Sequence, residues 1–167
     1  MTAGARIGRS RPPGDGDPVA AGLATNDDAP MPRAEGRPGL ARFAFAAVAF
    51  VYVGCLLVQV FLVGLDIFAN ADASIHREFA YVYGWLTPLL VLLAGFAQAP
   101  KPTRQLTVVL VVLFAIQIVL PSLKDAVPVV AALHPVNALA IFGVAMLIAR
   151  QAIDLLRPLQ AEPTAKA

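Results

Sequence analysis

Apolar and polar positions alternate in blocks rather than residue by residue. Beyond residue 40 the chain reads as four long uncharged runs separated by three short polar breaks. From Phe43 to Leu65 no charged side chain occurs, and at about 1.5 Å per helical residue such a run crosses about 30 Å of hydrocarbon. Expected spans cover about 43–65, 75–99, 105–121 and 128–150. Their backbone must satisfy its own hydrogen bonds in lipid, which selects helix even where Val108 to Val112 would suggest a strand in water. Ala69-Asn70-Ala71 resembles a signal cleavage site, but a signal core is about 7–15 residues and this run is far longer, so it is read as a retained span.

The breaks carry their own signals. Asp72 and Ser74 are competent N-caps for the second helix, and Tyr81, Tyr83 and Trp85 are aromatics suited to a membrane interface. Pro88 lies inside the second run, where a kink would leave a carbonyl for Thr87 or a neighbouring helix to satisfy. Pro100-Lys101-Pro102 and Pro121-Ser122-Leu123-Lys124-Asp125 turn the chain twice more. At Pro135 the fourth helix either kinks or starts, because proline disfavours helical geometry at His134 and removes a donor toward Ala131.

Composition agrees with these blocks. The chain is 58% hydrophobic and 14% charged, against about 25% charged in soluble domains. The expected fold is an all-α membrane protein, a four-transmembrane-helix up-down-up-down bundle over residues 41–152. Residues 1–40, rich in Pro and Gly and nearly devoid of bulky apolar side chains, read as a disordered cytoplasmic tail, and 153–167 as a short cytoplasmic tail. Arg33, Arg37, Arg42, Lys101, Arg104, Arg150 and Arg157 lie at one end of the runs, against Arg77 and Lys124 at the other. The positive-inside rule then places both termini in the cytoplasm and the protein in the inner membrane. A net charge of +2 supports no nucleic-acid partner. Cys55, the single cysteine, has no disulfide mate and reads as packing.

Depth within the spans brings polar side chains together. Counted from the outer ends, Gln59, Gln117 and His134 fall in one layer, with His76 slightly nearer the surface, so every span adds one polar group. Ionisable groups are expensive in hydrocarbon and usually face the bundle interior. His76, Tyr83 and Thr87 share one helical stripe; Ala131, His134, Ala138, Ile141 and Ala145 share another, with Asn137 beside it. Two histidines on diagonal helices could hold one haem b through both imidazoles, with Arg77 near the propionates. The protein would then serve electron transfer or haem handling with a membrane redox partner. The alternative is a non-enzymatic membrane subunit or scaffold, with the Gln and His layer as interhelical hydrogen-bond glue and Gly54, Gly64 and the alanines as packing faces. A zinc site normally needs three or four ligands, and no Cys or carboxylate shares the layer. No nucleophile-base pair, phosphate loop or intramembrane carboxylate relay is present, which argues against a protease, an ATPase or a proton-coupled pump. A transporter with an aqueous cavity stays open.

His76-Arg77 opening one helix, Ile116-Gln117-Ile118 in the next and Leu133-His134-Pro135 opening another resemble one half of the haem A synthase fold. That resemblance implies His76 and His134 as axial ligands and Arg77 as a propionate neighbour. The family's glutamate three residues before the first histidine is Ala73 here, and there is no second half, so haem hydroxylation is not implied. The Leu-His-Pro-Val-Asn-Ala segment more closely resembles small uncharacterised four-helix bacterial membrane proteins grouped as a domain of unknown function, a resemblance that implies no activity.

Overall fold

The computed structural model describes residues 36–160, with side chains from 39 to 157. The disordered tail expected over 1–40 therefore falls, up to residue 35, outside the described residues, as does the end of the 153–167 tail. The described chain is all helix. It comprises α1 (Gly36–Ala69), α2 (Ala73–Gly84), α3 (Leu86–Phe96), α4 (Lys101–Val119), a short 3-10 turn (Leu120–Leu123), α5 (Pro128–Ala131) and α6 (His134–Gln160).

These elements make four stretches long and apolar enough to cross a membrane: Gly39–Ala69, Ala73–Phe96, Lys101–Leu123 and Pro128–Arg157. The first has 31 residues, about 46 Å of helix. That exceeds the hydrocarbon thickness, so it must tilt or extend into the headgroups. Packing closes a ring: α1 lies against α2, α3 and α6, and α4 lies against α3 and α6. Consecutive spans are thus neighbours, the first closes on the fourth, and the second and fourth sit diagonally. The core between them holds Phe45, Tyr52, Leu90, Leu110, Ile141 and Ile148, all at most 2% exposed.

The second span is broken at Trp85, between α2 and α3. Pro88 has no N–H to give the carbonyl four residues back, which is Gly84 O. The Thr87 hydroxyl donates to that oxygen at 2.9 Å and satisfies it, as the sequence suggests. Gly84 also lets the broken helix approach α4: a Cβ there would lie 2.6 Å from the Phe114 ring. Phe114 is held edge-on to Tyr83 at 5.7 Å, and Tyr83 in turn stacks with Tyr52 at 5.5 Å and Phe79 at 5.4 Å. Tyr81 and Trp85 face outward as interface aromatics should, but Tyr83 does not; it is 7% exposed and belongs to the core. Helical spacing explains the correction, since Tyr83 shares the inward stripe of His76 and Thr87.

At the arginine-rich end, α3 finishes in a Schellman-type cap. Gln98 takes φ 53°, its amide donates to Gly95 O at 3.0 Å, and the Ala99 amide donates to Ala94 O at 3.0 Å. Arg42 Nε of α1 donates to Ala97 O at 3.4 Å, tying the first span to the end of the second. Gly54 and Gly64 do not serve as packing faces within this bundle: a Cβ at either would meet nothing within 4 Å.

The contact at Gly84 gives a direct test. Gly84→Ala should lower stability by about 1–3 kcal/mol through overpacking, measured by thermal unfolding in detergent, and adding Phe114→Leu should recover part of the loss. An unchanged melting temperature in the single variant would contradict the close approach.

Candidate functional site

The fourth span starts twice. α5 ends at Ala131, where the Ala132 and Leu133 amides close back on Pro128 O and Val130 O, at 2.9 and 3.0 Å. The chain then re-enters helix at His134, with Pro135 in the first turn, where its missing N–H is no loss. Of the two outcomes open at Pro135, a kink or a start, the helix starts. This restart turns the His134 ring onto α4.

Both ring nitrogens of His134 meet Gln117. Nδ1 lies 3.2 Å from the Gln117 backbone carbonyl, and Nε2 lies 3.1 Å from the Gln117 side-chain nitrogen. Asn137, in the same first turn, donates from Nδ2 to Gln117 Oε1 at 2.7 Å and to Leu113 O at 2.9 Å. One chemical assignment satisfies all four contacts. A carbonyl can only accept, so Nδ1 carries the proton; in the neutral ring Nε2 must then accept, so Gln117 presents its NH₂ group to it. Gln117 Oε1 is left facing Asn137, whose NH₂ supplies one hydrogen to it and the other to Leu113 O. The orientation of each amide follows from the backbone carbonyls at the two ends.

The remaining predicted site residues are placed differently. His76 sits in the first turn of α2, a helix capped by Asp72, whose carboxylate accepts from the Ser74 amide at 2.8 Å. That backbone bond holds the Asp72 carboxyl below its ordinary pKa. Its capping contribution is present above the ordinary carboxylate pKa and is lost as pH falls through the lowered value. The His76 ring faces the His134 ring, centroids 6.5 Å apart and 70° between planes. Nδ1 of His76 is buried without a hydrogen-bond partner. Arg77 is exposed and makes no ion pair among the described residues.

Gln59 does not join the layer. It is 7% exposed and lies against the Tyr83 side chain, and its Oε1 has no hydrogen-bond partner. The structure thus brings together Gln117, His134 and Asn137 as one bonded unit, sets His76 against its edge, and leaves Gln59 and Arg77 apart. One participant carries no sequence signal: the Leu113 carbonyl, a backbone group.

Two imidazoles gripping one metal ion, each nitrogen at about 2 Å, would have ring centroids roughly 6 Å apart. The observed separation agrees with that. The nitrogens do not, because the His134 lone pair that would meet iron is directed at Gln117. An outward-facing groove of about 270 Å³ between Ile116, Leu120, Leu133, Val136, Asn137 and Ala140 adjoins the trio, and is smaller than the roughly 300–1,000 Å³ of ordinary ligand sites. Among the described residues no group of three or more His, Cys, Asp or Glu is placed to hold a metal ion.

The contrast between satisfied and unsatisfied amides is measurable. Asn137→Leu removes the Nδ2 donor to Gln117 Oε1 and should cost about 1–3 kcal/mol. Gln59→Leu, removing an amide whose oxygen is unpartnered and whose remaining polar neighbour is the Tyr83 hydroxyl, should cost less in the same unfolding assay. The reverse ranking would reject the bonding described here.

Residues 59–123 match the model of a family of unknown function (DUF6220). The match takes in Gln59, His76, Arg77 and Gln117 and stops short of His134 and Asn137. No curated protein and no solved structure matches the chain, so the resemblance to one half of the haem A synthase fold finds no counterpart among them. What the comparisons support is similarity, over the second and third spans and the end of the first, to a family whose function is unknown.

Proposed function

We propose that this chain is a non-enzymatic subunit or scaffold of the inner membrane, crossing it four times with both termini in the cytoplasm, and that Gln117, His134 and Asn137 are the glue that fastens its fourth span to its third. The observation that supports this best is the closure of the trio: every ring nitrogen and amide atom engaged there faces a complementary protein group. Such a unit is suited to holding helices in register, since α6 has few other polar anchors. The charge asymmetry between the two ends of the bundle supports the orientation.

A second reading, one haem b held by His76 and His134, draws support from the 6.5 Å ring separation and from the unpartnered Nδ1 of His76. Bound there, haem would supply one-electron chemistry. It requires His134 to give up Gln117, and the exposed Arg77 to turn toward the ring's propionates. It ranks second for that reason.

Three measurements separate these readings. A double-mutant cycle of Gln117→Leu with His134→Leu at pH 8 should give a coupling of about 0.6–2 kcal/mol; zero coupling would remove the glue. The protein purified in detergent from haem-replete cells should be colourless, whereas a Soret band lost in both His76→Ala and His134→Ala would establish the haem reading. In a Cys55→Ser background, Asp125→Cys should react with an impermeant maleimide added to spheroplasts and Lys101→Cys should not; the opposite pattern would invert the topology.

A further inference from the structure

The arginine-rich end of the bundle carries positive charge that its own acids do not offset. Arg42 is engaged there by Ala97 O, and Arg157 by Asp154 at 3.3 Å. Among the residues with described side chains, Asp154 is the only acid at this end; Asp66, Asp72, Glu78 and Asp125 lie at the other. Lys101 and Arg104 are exposed and make no ion pair among the described residues. Both stand in the opening turns of α4, whose first turn holds no acid. Cations at the positive end of a helix dipole add to the local potential instead of cancelling it.

We propose that Lys101 and Arg104 hold the phosphate of one anionic phospholipid, and that its acyl chain lies along Val108 and Val109 of the same helix. A recess of about 580 Å³ on α4 is lined by Lys101, Arg104, Gln105, Val108 and Val109. It occupies the face opposite the buried Thr103, Thr107 and Leu110, so it looks into the bilayer. The order of groups along the helix is the order of groups along a lipid. Two cations come first, and both types of side chain bind phosphate oxygens. Gln105 adds an amide donor for a further phosphate or ester oxygen. Val108 and Val109, both exposed, follow about 10–12 Å of helix rise beyond Lys101. That distance falls within the roughly 15 Å of hydrocarbon in one leaflet.

Positive charge by itself suffices to orient a membrane protein. Its continuity with an apolar recess is a further feature, and it fits an amphiphile. Free phosphate would meet the two cations but leave the valines uncovered, which is why the occupant is a lipid. In the orientation proposed above, the recess opens to the cytoplasmic leaflet, whose surface is anionic.

The test titrates the delipidated full-length protein in a neutral detergent with dioleoyl phosphatidylglycerol or dioleoyl phosphatidylcholine, and counts bound lipid by native mass spectrometry. The first phosphatidylglycerol should bind more tightly than phosphatidylcholine by roughly fivefold for each cation. Lys101→Gln and Arg104→Gln should each remove about that factor. Arg150→Gln, which neutralises an exposed cation of α6 at the same end, should not. Val108→Phe fills the recess and leaves the charges, and should weaken phosphatidylglycerol binding. Inorganic phosphate should not displace the lipid. The substituted positions are exposed, so a retained thermal midpoint shows that each variant is folded. Equal affinity for the two lipids would overturn the proposal. An equal loss in Arg150→Gln, or full binding in Val108→Phe, would overturn it as diffuse attraction to a charged end, and displacement by inorganic phosphate would remove the lipid as occupant. Because the measurement is made in detergent, it is independent of the orientation that the maleimide experiment reads.

Discussion

The histidine end of this bundle is built on two carbonyls of α4: Leu113 O, inside the helix, and Gln117 O, whose own-helix donor four residues on would be Pro121, which has no N–H to give. Gln117 O and Leu113 O sit one turn apart on α4, and each takes a donor from the first turn of α6. Because neither can move without distorting α4, they set the His134 tautomer and both amide orientations. The same two carbonyls fix where α6 begins relative to α4, since His134 and Asn137 can reach them together only when both lie in one helical turn. In a membrane, where apolar side chains have no preference between lipid and protein, such polar contacts and close packing decide register.

The prolines make those contacts possible by breaking helices in places where the freed groups are satisfied locally. Pro88 leaves Gly84 O without its amide, and Thr87 fills in. The break brings Gly84 against Phe114 and turns Tyr83 into the aromatic group with Tyr52 and Phe79. Pro128 and Pro135 divide the fourth span into a one-turn prelude and a long helix, which turns His134 toward α4 at the restart. Pro88 costs a backbone bond that Thr87 replaces, whereas Pro128 and Pro135 sit in first turns where none is lost, and each marks a defined change of direction.

Not every buried polar group is handled this way. Tyr52 hydroxyl, Gln59 Oε1 and His76 Nδ1 are buried without partners. An unsatisfied polar atom away from water is worth about 1–3 kcal/mol of instability. These three atoms lie on α1 and α2, and Gln151 Oε1, also buried without a partner, lies on α6 well beyond the first turn that carries the satisfied unit with α4. The bundle is thus unevenly fastened: one helix pair is joined by directional bonds, and the other by the tyrosine and phenylalanine packing and by Arg42 reaching Ala97 O at the far end.

What the sequence determined by itself was everything that depends on the local order of residues: four apolar helices, their breaks, the cap at Asp72, the rescue of Pro88 by Thr87, and the inward stripes that carry His76 and His134. Hydrophobic run length and helical periodicity are properties of the chain alone, so they are legible before folding. Depth counting also brought Gln117 and His134 to the same level, with Asn137 one turn on, but it placed Gln59 with them, and aromatic character sent Tyr83 to the interface. Only the tertiary structure decided which of these groups meet, because a hydrogen bond depends on the rotation of each helix about its axis and on the backbone groups it faces. Gln117 has Leu113 O one turn behind it and His134 in front; Gln59 has Tyr83. Those partners lie outside any pattern of side chains, which is why the bonding of the trio, and with it the tautomer of His134, emerges from the packing of α6 on α4.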